Sequence, residues 1–357
     1  MAQALRLAER GLYTTMPNPR VGCVIAHGAE VVGEGWHART GEPHAEVFAL
    51  RAAGARARGA TAYVTLEPCG LHGRTPPCAD ALIAAGVARV VIASEDVFQR
   101  DGGAVARLRA AGIVVESGLM RDAARELNRG FFSRVERGRP WVRVKLAMSL
   151  DGRTALGNGD SKWITGEAAR ADVQHWRARS SAILTGSGTV LADDPRLTVR
   201  GPVEQACEGV PHWRVVLDRA LRTPHGAHLL DGSAPTLVLH APDAKPADPR
   251  FDKAELAAVP LDANGHLDLN GVLKELTARD MNEIQVEAGP ILSGALLHRC
   301  LVDELLLYIA PVLLGDTARP LLALPVLAAV GEARRWRAID RRMVGNDERI
   351  LYREQHV

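Results

Sequence analysis

Aromatic side chains are scarce in this 357-residue chain: Phe, Trp and Tyr together make up 4%. It therefore has little with which to stack successive bases, and a formal net charge of +2 offers no strong attraction for a phosphate backbone. Neither nucleic acid nor an anionic membrane is an expected partner. Cysteine is sparse as well. Cys23, Cys69, Cys78, Cys207 and Cys300 are odd in number and widely spread, which argues against a disulfide framework. No apolar run reaches the roughly 18 residues that a membrane span requires. The stretch from Met1 to Arg10 is charged too often for a signal-peptide core, so a cytoplasmic protein is expected. A Gly-x-Gly-x-x-Gly after a first strand is also missing, so a Rossmann dinucleotide site is not supported. The composition, 47% hydrophobic and 24% charged, is that of a globular protein with length enough for two domains.

The chemistry concentrates between residues 44 and 78. Pro43-His44-Ala45-Glu46 is followed by Glu67-Pro68-Cys69 and then Pro76-Pro77-Cys78. One imidazole and two thiols are the ligands that Zn²⁺ selects, and three protein ligands leave the fourth position open for water, as in catalytic sites. Zinc brings the pKa of such a water to about 7. Glu46, two residues past the His, is placed to carry protons. A carboxylate acid/base beside a His-Cys-Cys zinc site is the arrangement of zinc nucleobase deaminases. A closed structural site would need a fourth ligand, for which His72 or His37 could serve, and two unrelated buried cysteines are the plainest alternative. Neither explains the position of Glu46.

Eight residues separate the two cysteines where the generic deaminase signature has two, and the insertion carries His72, Arg74 and Thr75, all suited to an anionic group. With that insertion the chain resembles the bifunctional riboflavin-biosynthesis deaminase–reductases, in which a pyrimidine deaminase is fused to a reductase. The resemblance implies an α/β chain with a cytidine-deaminase-like three-layer domain over residues 1–140. A dihydrofolate-reductase-like domain follows over 141–357. It implies that Asn18, in Pro17-Asn18-Pro19, lines the deaminase pocket. One departure is Asp96-Val97-Phe98-Gln99, where the family usually has Asp-Pro-Asn-Pro.

Periodicity organises the rest. A helix is expected over 2–12, a strand over 21–26 with a hairpin partner at 31–35, and a helix over 45–53 opening at the His-Ala-Glu triplet. A strand at 62–66 delivers Cys69, and a helix begins at Cys78. Strands at 90–93 and 113–116 flank a helix over 103–110. A charged helix over 120–137 leads to Gly138-Arg139-Pro140, where a domain boundary is expected. Val142, Val144 and Leu146 alternate with Arg143 and Lys145, which predicts a half-buried strand. Strand, glycine turn and helix recur at Ile284–Glu287, Gly289-Pro290 and Leu292–Leu301, and a second such turn lies at Gly186-Ser187-Gly188-Thr189; exposed N–H groups there suit a pyrophosphate. A closing hairpin is expected near Gly345-Asn346-Asp347.

The second half resembles the reductase part of the same family at Asp151-Gly152-Arg153-Thr154, Ser161-Lys162-Trp163, Ala192-Asp193-Asp194-Pro195, Leu197-Thr198-Val199-Arg200 and Val286-Glu287-Ala288-Gly289-Pro290. The resemblance implies NADPH as cofactor, facing Ala147, Trp163, Thr189, Asp193 and the run Gly289, Pro290, Ile291, Leu292, Ser293, Gly294 and Ala295. It implies a substrate facing Ser161, Arg177, Leu197, Arg200 and Glu287. On the residues alone, Arg177 reads as a solvated helix face, and Trp176, Trp213 and Trp336 as core or surface. The expected function is zinc-dependent deamination of a phosphoribosylated pyrimidine, then reduction of its ribosyl group to ribityl, in a homo-oligomer that binds small molecules. The alternative is a monofunctional deaminase carrying a non-catalytic second domain.

Overall fold

The computed structural model describes residues 1–70, 77–97, 103–245 and 248–355, and the chain divides into two compact units, Met1–Gly138 and Arg139–Val357. The first opens with α1 (Ala2–Glu9) and the hairpin β1 (Gly22–His27) and β2 (Glu30–Trp36). Then α2 (Ala45–Ala53), β3 (Thr61–Leu66), α3 (Cys78–Ala85), β4 (Arg89–Ser94), α4 (Ala104–Ala110) and β5 (Val114–Ser117) alternate. The sheet runs β2-β1-β3-β4-β5, antiparallel up to β3 and parallel beyond it. Side chains alternate across a strand. Accordingly Cys23 and Ile25 pack with Ala49, Leu82 and Leu108 of α2, α3 and α4, while Val24 packs with Ala4 and Leu7 of α1 on the other face. Three layers result.

Two glycines fix α2. A Cβ on Gly33 or Gly35 would lie 2.3 Å from the carbonyl oxygen of Ala49 or Ala45, so β2 can lie this close to the helix only without side chains there. The helix expected over 120–137 is in fact two, α5 (Arg121–Leu127) and α6 (Arg129–Arg137), parted at Asn128. The buried Asn128 amide accepts from the Arg20 N–H and donates to the Arg20 carbonyl, both at 2.8 Å. That long-range tie interrupts an otherwise continuous helical pattern.

The second unit contains β6 (Trp141–Ser149), β7 (Arg153–Ala155), α7 (Glu167–Ala178), β8 (Ala182–Gly186), α8 (Ser187–Asp193), α9 (Val203–Ala206), β9 (Trp213–Leu217), β10 (Thr236–His240) and β11 (Glu255–Ala258). It continues with α10 (Leu269–Ala278), β12 (Glu283–Val286), α11 (Pro290–His298), β13 (Glu304–Ala310), β14 (Arg319–Pro320), β15 (Trp336–Val344) and β16 (Asp347–Glu354). Nine strands form one sheet, β11-β10-β9-β8-β12-β6-β13-β16-β15, parallel up to β13 and closed by the antiparallel hairpin β15–β16. In such sheets ligands bind outside the carboxyl ends of the strands.

The strand β6 is not half-buried. It is central to the sheet, with both faces covered, and Arg143 is fully buried. Its guanidinium donates to Glu304 at 3.0 Å and Glu283 at 2.9 Å, carboxylates on the two neighbouring strands, and lies 4.6 Å from the Trp176 ring centroid. Buried charge is tolerated when it is paired and hydrogen-bonded. Trp176 is core, packed with Val173, Leu306 and Tyr308.

Candidate active sites

The first site lies where two helices begin. His44 is the residue before α2, in extended conformation; Cys69 follows β3; Cys78 is the first residue of α3. His44 Nδ1 lies 3.3 Å from Cys78 Sγ and 3.5 Å from Cys69 Sγ, and the three ligand atoms all fall within 4.8 Å of one another. Zn–N and Zn–S bonds of about 2.05 and 2.3 Å meeting at a tetrahedral angle separate N and S by about 3.6 Å. The donor set fits that ion. The Cys78 thiol, its N–H at 3.2 Å and the His44 imidazole all favour thiolate at Cys69, whose pKa is pulled down to about 4 against burial. Burial and the neighbouring sulfur push Cys78 up while it shares that proton, with the Cys69 hydrogen bond the largest cause.

Glu46 sits in the first turn of α2, 3% exposed, and its Oε2 has no hydrogen-bond partner among the described residues. Burial raises the carboxyl to about 7. Such a group can both take and return a proton near neutrality. Asn18 Nδ2 lies 3.2 Å from His37 Nε2, and His37 Nδ1 lies 3.2 Å from the Pro43 carbonyl. The His37 ring is nearly perpendicular to that of His44, 5.4 Å away. Both nitrogens of His37 are thus engaged, so it is not a fourth ligand. Asn18 is thereby linked through His37 to the ring of His44. His72, Arg74 and Thr75 lie outside the described residues, as do Phe98 and Gln99.

The second site is a cavity of about 540 Å³ in the second unit, at the carboxyl ends of β6, β8 and β12. Ala147, Trp163, Thr189, Asp193, Gly289 and Pro290 line it, and so do Ser161, Arg177, Leu197, Arg200 and Glu287. Ile291, Leu292, Ser293, Gly294 and Ala295 do not. They form the body of α11, and a Cβ on Gly294 would meet the Ala323 carbonyl oxygen at 2.1 Å. Gly294 therefore admits the chain's own backbone. Gly289, the N-cap of α11, has nothing within 4 Å of its Cβ position and is open.

Arg177 is buried rather than solvated. Its Nε and Nη2 donate to the two Glu287 oxygens at 2.7 and 2.8 Å, and its Nη1 to the Thr198 carbonyl at 2.8 Å. Burial pushes the Glu287 carboxyl up, but Arg177, Lys145 and Gln285 outweigh it and hold the pKa at about 2. Leu197 packs its side chain among Ile183, Val190 and Val216, with a left-handed φ of 47° at the cavity wall. Trp163 is 71% exposed, with the Arg170 guanidinium 4.6 Å from its ring centroid. Arg200 forms no ion pair among the described residues. Lys145 also lines the cavity, and burial lowers its pKa. Strand alternation places it on the polar face of β6, and the Glu287 carboxylate that partners it there lies just past β12, far off in sequence.

The folds and sites together define a zinc-type deaminase unit followed by a reductase unit. A family profile described as "Cytidine and deoxycytidylate deaminase zinc-binding region" matches residues 1–94, and one described as "RibD C-terminal domain" matches residues 140–345. The chain belongs to the RibD family of bifunctional riboflavin-biosynthesis deaminase–reductases. It is 50% identical to riboflavin biosynthesis protein RibD of Escherichia coli K12, covering 97% of this chain and 96% of that protein. The Haemophilus influenzae RibD is 46% identical, covering 99% and 96%. The solved structure of Acinetobacter baumannii RibD, form 1, superposes with a TM-score of 0.91 at 43% identity, covering 99% of this chain and 98% of that one. Another, titled a diaminohydroxyphosphoribosylaminopyrimidine deaminase/5-amino-6-(5-phosphoribosylamino)uracil reductase from Thermotoga maritima, gives 0.86 at 31% identity, covering 99% and 97%.

Proposed function

We propose that this chain deaminates 2,5-diamino-6-(5-phosphoribosylamino)pyrimidin-4-one in its first domain, residues 1–140. The second domain, residues 141–357, then reduces the ribosyl group of the resulting 5-amino-6-(5-phosphoribosylamino)uracil to ribityl with NADPH. The observation that carries this is the convergence of His44, Cys69 and Cys78 beside the buried carboxyl of Glu46. Zn²⁺ held by those three side chains supplies water activation at neutral pH. Glu46 takes the proton of the attacking water and returns it to the amine as the C–N bond breaks, so ammonia leaves and a carbonyl forms. Asn18 and His37 orient the ring.

In the second domain NADPH supplies the hydride, which no side chain can. Ala147, Trp163, Thr189, Asp193 and the α11 entry at Gly289 and Pro290 are the groups for the cofactor, and the N-terminus of that helix suits its pyrophosphate. Ser161, Leu197, Arg200 and Glu287 face the substrate, with Arg177 holding Glu287 ionised and aimed. Arg200 suits the ribose phosphate. Lys145 carries the proton that balances the hydride, its ammonium made more acidic by burial, and the Glu287 carboxylate stands beside it as counter-charge.

Free cysteines at all five positions suit a reducing compartment such as the cytoplasm. The exposed apolar run of Leu324, Val326, Leu327 and Val330 suits association into a homo-oligomer. Among the described residues no helix is long and apolar enough to cross a membrane. The test is to follow ammonia release and NADPH oxidation together on the diaminopyrimidine ribosyl phosphate, for the parent and Glu46→Gln. The variant should keep its zinc and lose ~10²–10⁴ in deamination rate. Parent-rate deamination by a zinc-loaded Gln variant would make Glu46 structural.

A further inference from the structure

The two thiols are separated by a longer insertion than metal binding requires, and one side chain outside it ties its first residue, Gly70, to the helix turn just past Cys78. Arg107, on α4, donates through Nη1 to the Gly70 carbonyl at 2.5 Å and through Nη2 to the Asp80 carboxylate. Gly70 follows Cys69 directly; Asp80 is two residues past Cys78, in the first turn of α3. A second tie runs the same way. Glu67, two residues before Cys69, accepts from the Asp96 N–H at 3.2 Å and the Val105 N–H at 3.4 Å, the latter in the first turn of α4. At the base, the Ala79 N–H donates to the Cys69 carbonyl and the Cys78 N–H to the Cys69 sulfur, both at 3.2 Å.

We propose that Arg107 is a positioning residue for the metal centre, clamping the residue after Cys69 to the first turn of the helix that opens at Cys78, so that the two thiols stay at ligand separation. Closing a loop of eight residues rather than two lowers the closure probability roughly eightfold. A planar guanidinium can hold two acceptors at once in fixed directions, and an ammonium cannot. The Arg107 and Asp80 side chains are 38% and 37% exposed, so as an ordinary ion pair they add little to global stability. Supports behind metal ligands, in contrast, typically change affinity about 10–100-fold. The clamp thus has a signature that a stabilising surface pair does not: metal retention moves while melting does not.

The proposal rests on the zinc assignment of His44, Cys69 and Cys78. Its test uses the full-length zinc-loaded protein, measuring zinc release to a chromogenic chelator alongside thermal melting and NADPH-dependent reduction. Arg107→Ala should release zinc on the order of tenfold faster, with melting and reduction near parent values. Arg107→Lys, which keeps the charge but not the fork, should fall between. Asp80→Asn should accelerate release in the parent and add little to Arg107→Ala. Release at the parent rate from a folded Arg107→Ala protein overturns the clamp, as does faster release only in proportion to lowered melting. If Arg107→Ala does not fold, parent-rate release from both Arg107→Lys and Asp80→Asn overturns it. A parent protein that holds no zinc overturns the zinc assignment itself, a separate result.

Discussion

Replacing Glu287 by Gln isolates the buried pair at the centre of the second site. In the parent, Arg177 makes two charge-assisted hydrogen bonds to this carboxylate, Gln285 Nε2 adds one at 2.8 Å, and Lys145 is close enough to lower its pKa. The Arg177 and Glu287 side chains are 9% and 13% exposed, so solvent screens the pair weakly. Gln keeps the shape but leaves two cations near one another without a counter-charge. Breaking a buried pair from one side destabilises by about 3–5 kcal/mol. For a unit of this size that is a fall in Tm of about 6–20 °C. The pH dependence gives an independent magnitude. A carboxyl that titrates near 4.5 unfolded and near 2 folded binds protons more readily in the unfolded state. It contributes roughly 3 kcal/mol above pH 4.5, lost as the pH falls toward 2. Parent and variant stabilities should therefore differ most at neutral pH and converge in that acid window. Urea unfolding at several pH values measures this. A gap below about 1 kcal/mol at pH 7, or one that does not shrink toward pH 2, would refute the reasoning.

Two glycine contrasts follow from the same geometry. Gly294→Ala should destabilise the second unit by about 1–3 kcal/mol through its clash with the Ala323 carbonyl, whereas Gly289→Ala should leave melting unchanged and raise the KM for NADPH, as read by denaturation and steady-state kinetics. In the first unit, Gly35→Ala should push on the Ala45 carbonyl and displace the helix start that carries His44 and Glu46. Deamination should fall while reduction stays near the parent rate, and equal loss of both would contradict it.

The metal-ligand cluster was legible because four residues of three types, His44, Glu46, Cys69 and Cys78, stood in order at two helix starts and past one strand end, which are marked locally by proline, glycine and apolar runs. What escaped was set by partners distant in sequence. The break at Asn128 depends on Arg20, more than a hundred residues earlier. Arg177 reads as surface on its own helix and becomes interior only because Glu287 meets it. Alternation along β6 correctly separated its two faces, yet could not tell that the charged face is covered by α7 and by carboxylates on β12 and β13. For glycine the ambiguity is sharper. Gly289 and Gly294 look alike in sequence, and only the position of Ala323 distinguishes an opening from a packing contact.

The central claim is that one chain carries two chemically independent sites. The direct measurement is to strip zinc from the intact protein with a chelator and assay the two reactions separately. The diaminopyrimidine ribosyl phosphate is used for deamination, and the already-deaminated uracil compound with NADPH for reduction. Because His44, Cys69 and Cys78 all lie in the first unit and the described residues of the second hold no such metal-ligand cluster, deamination should stop and reduction should continue at nearly its full rate. Arg200→Ala should give the reverse pattern. Equal loss of both activities on chelation, in protein that remains folded, would contradict the account.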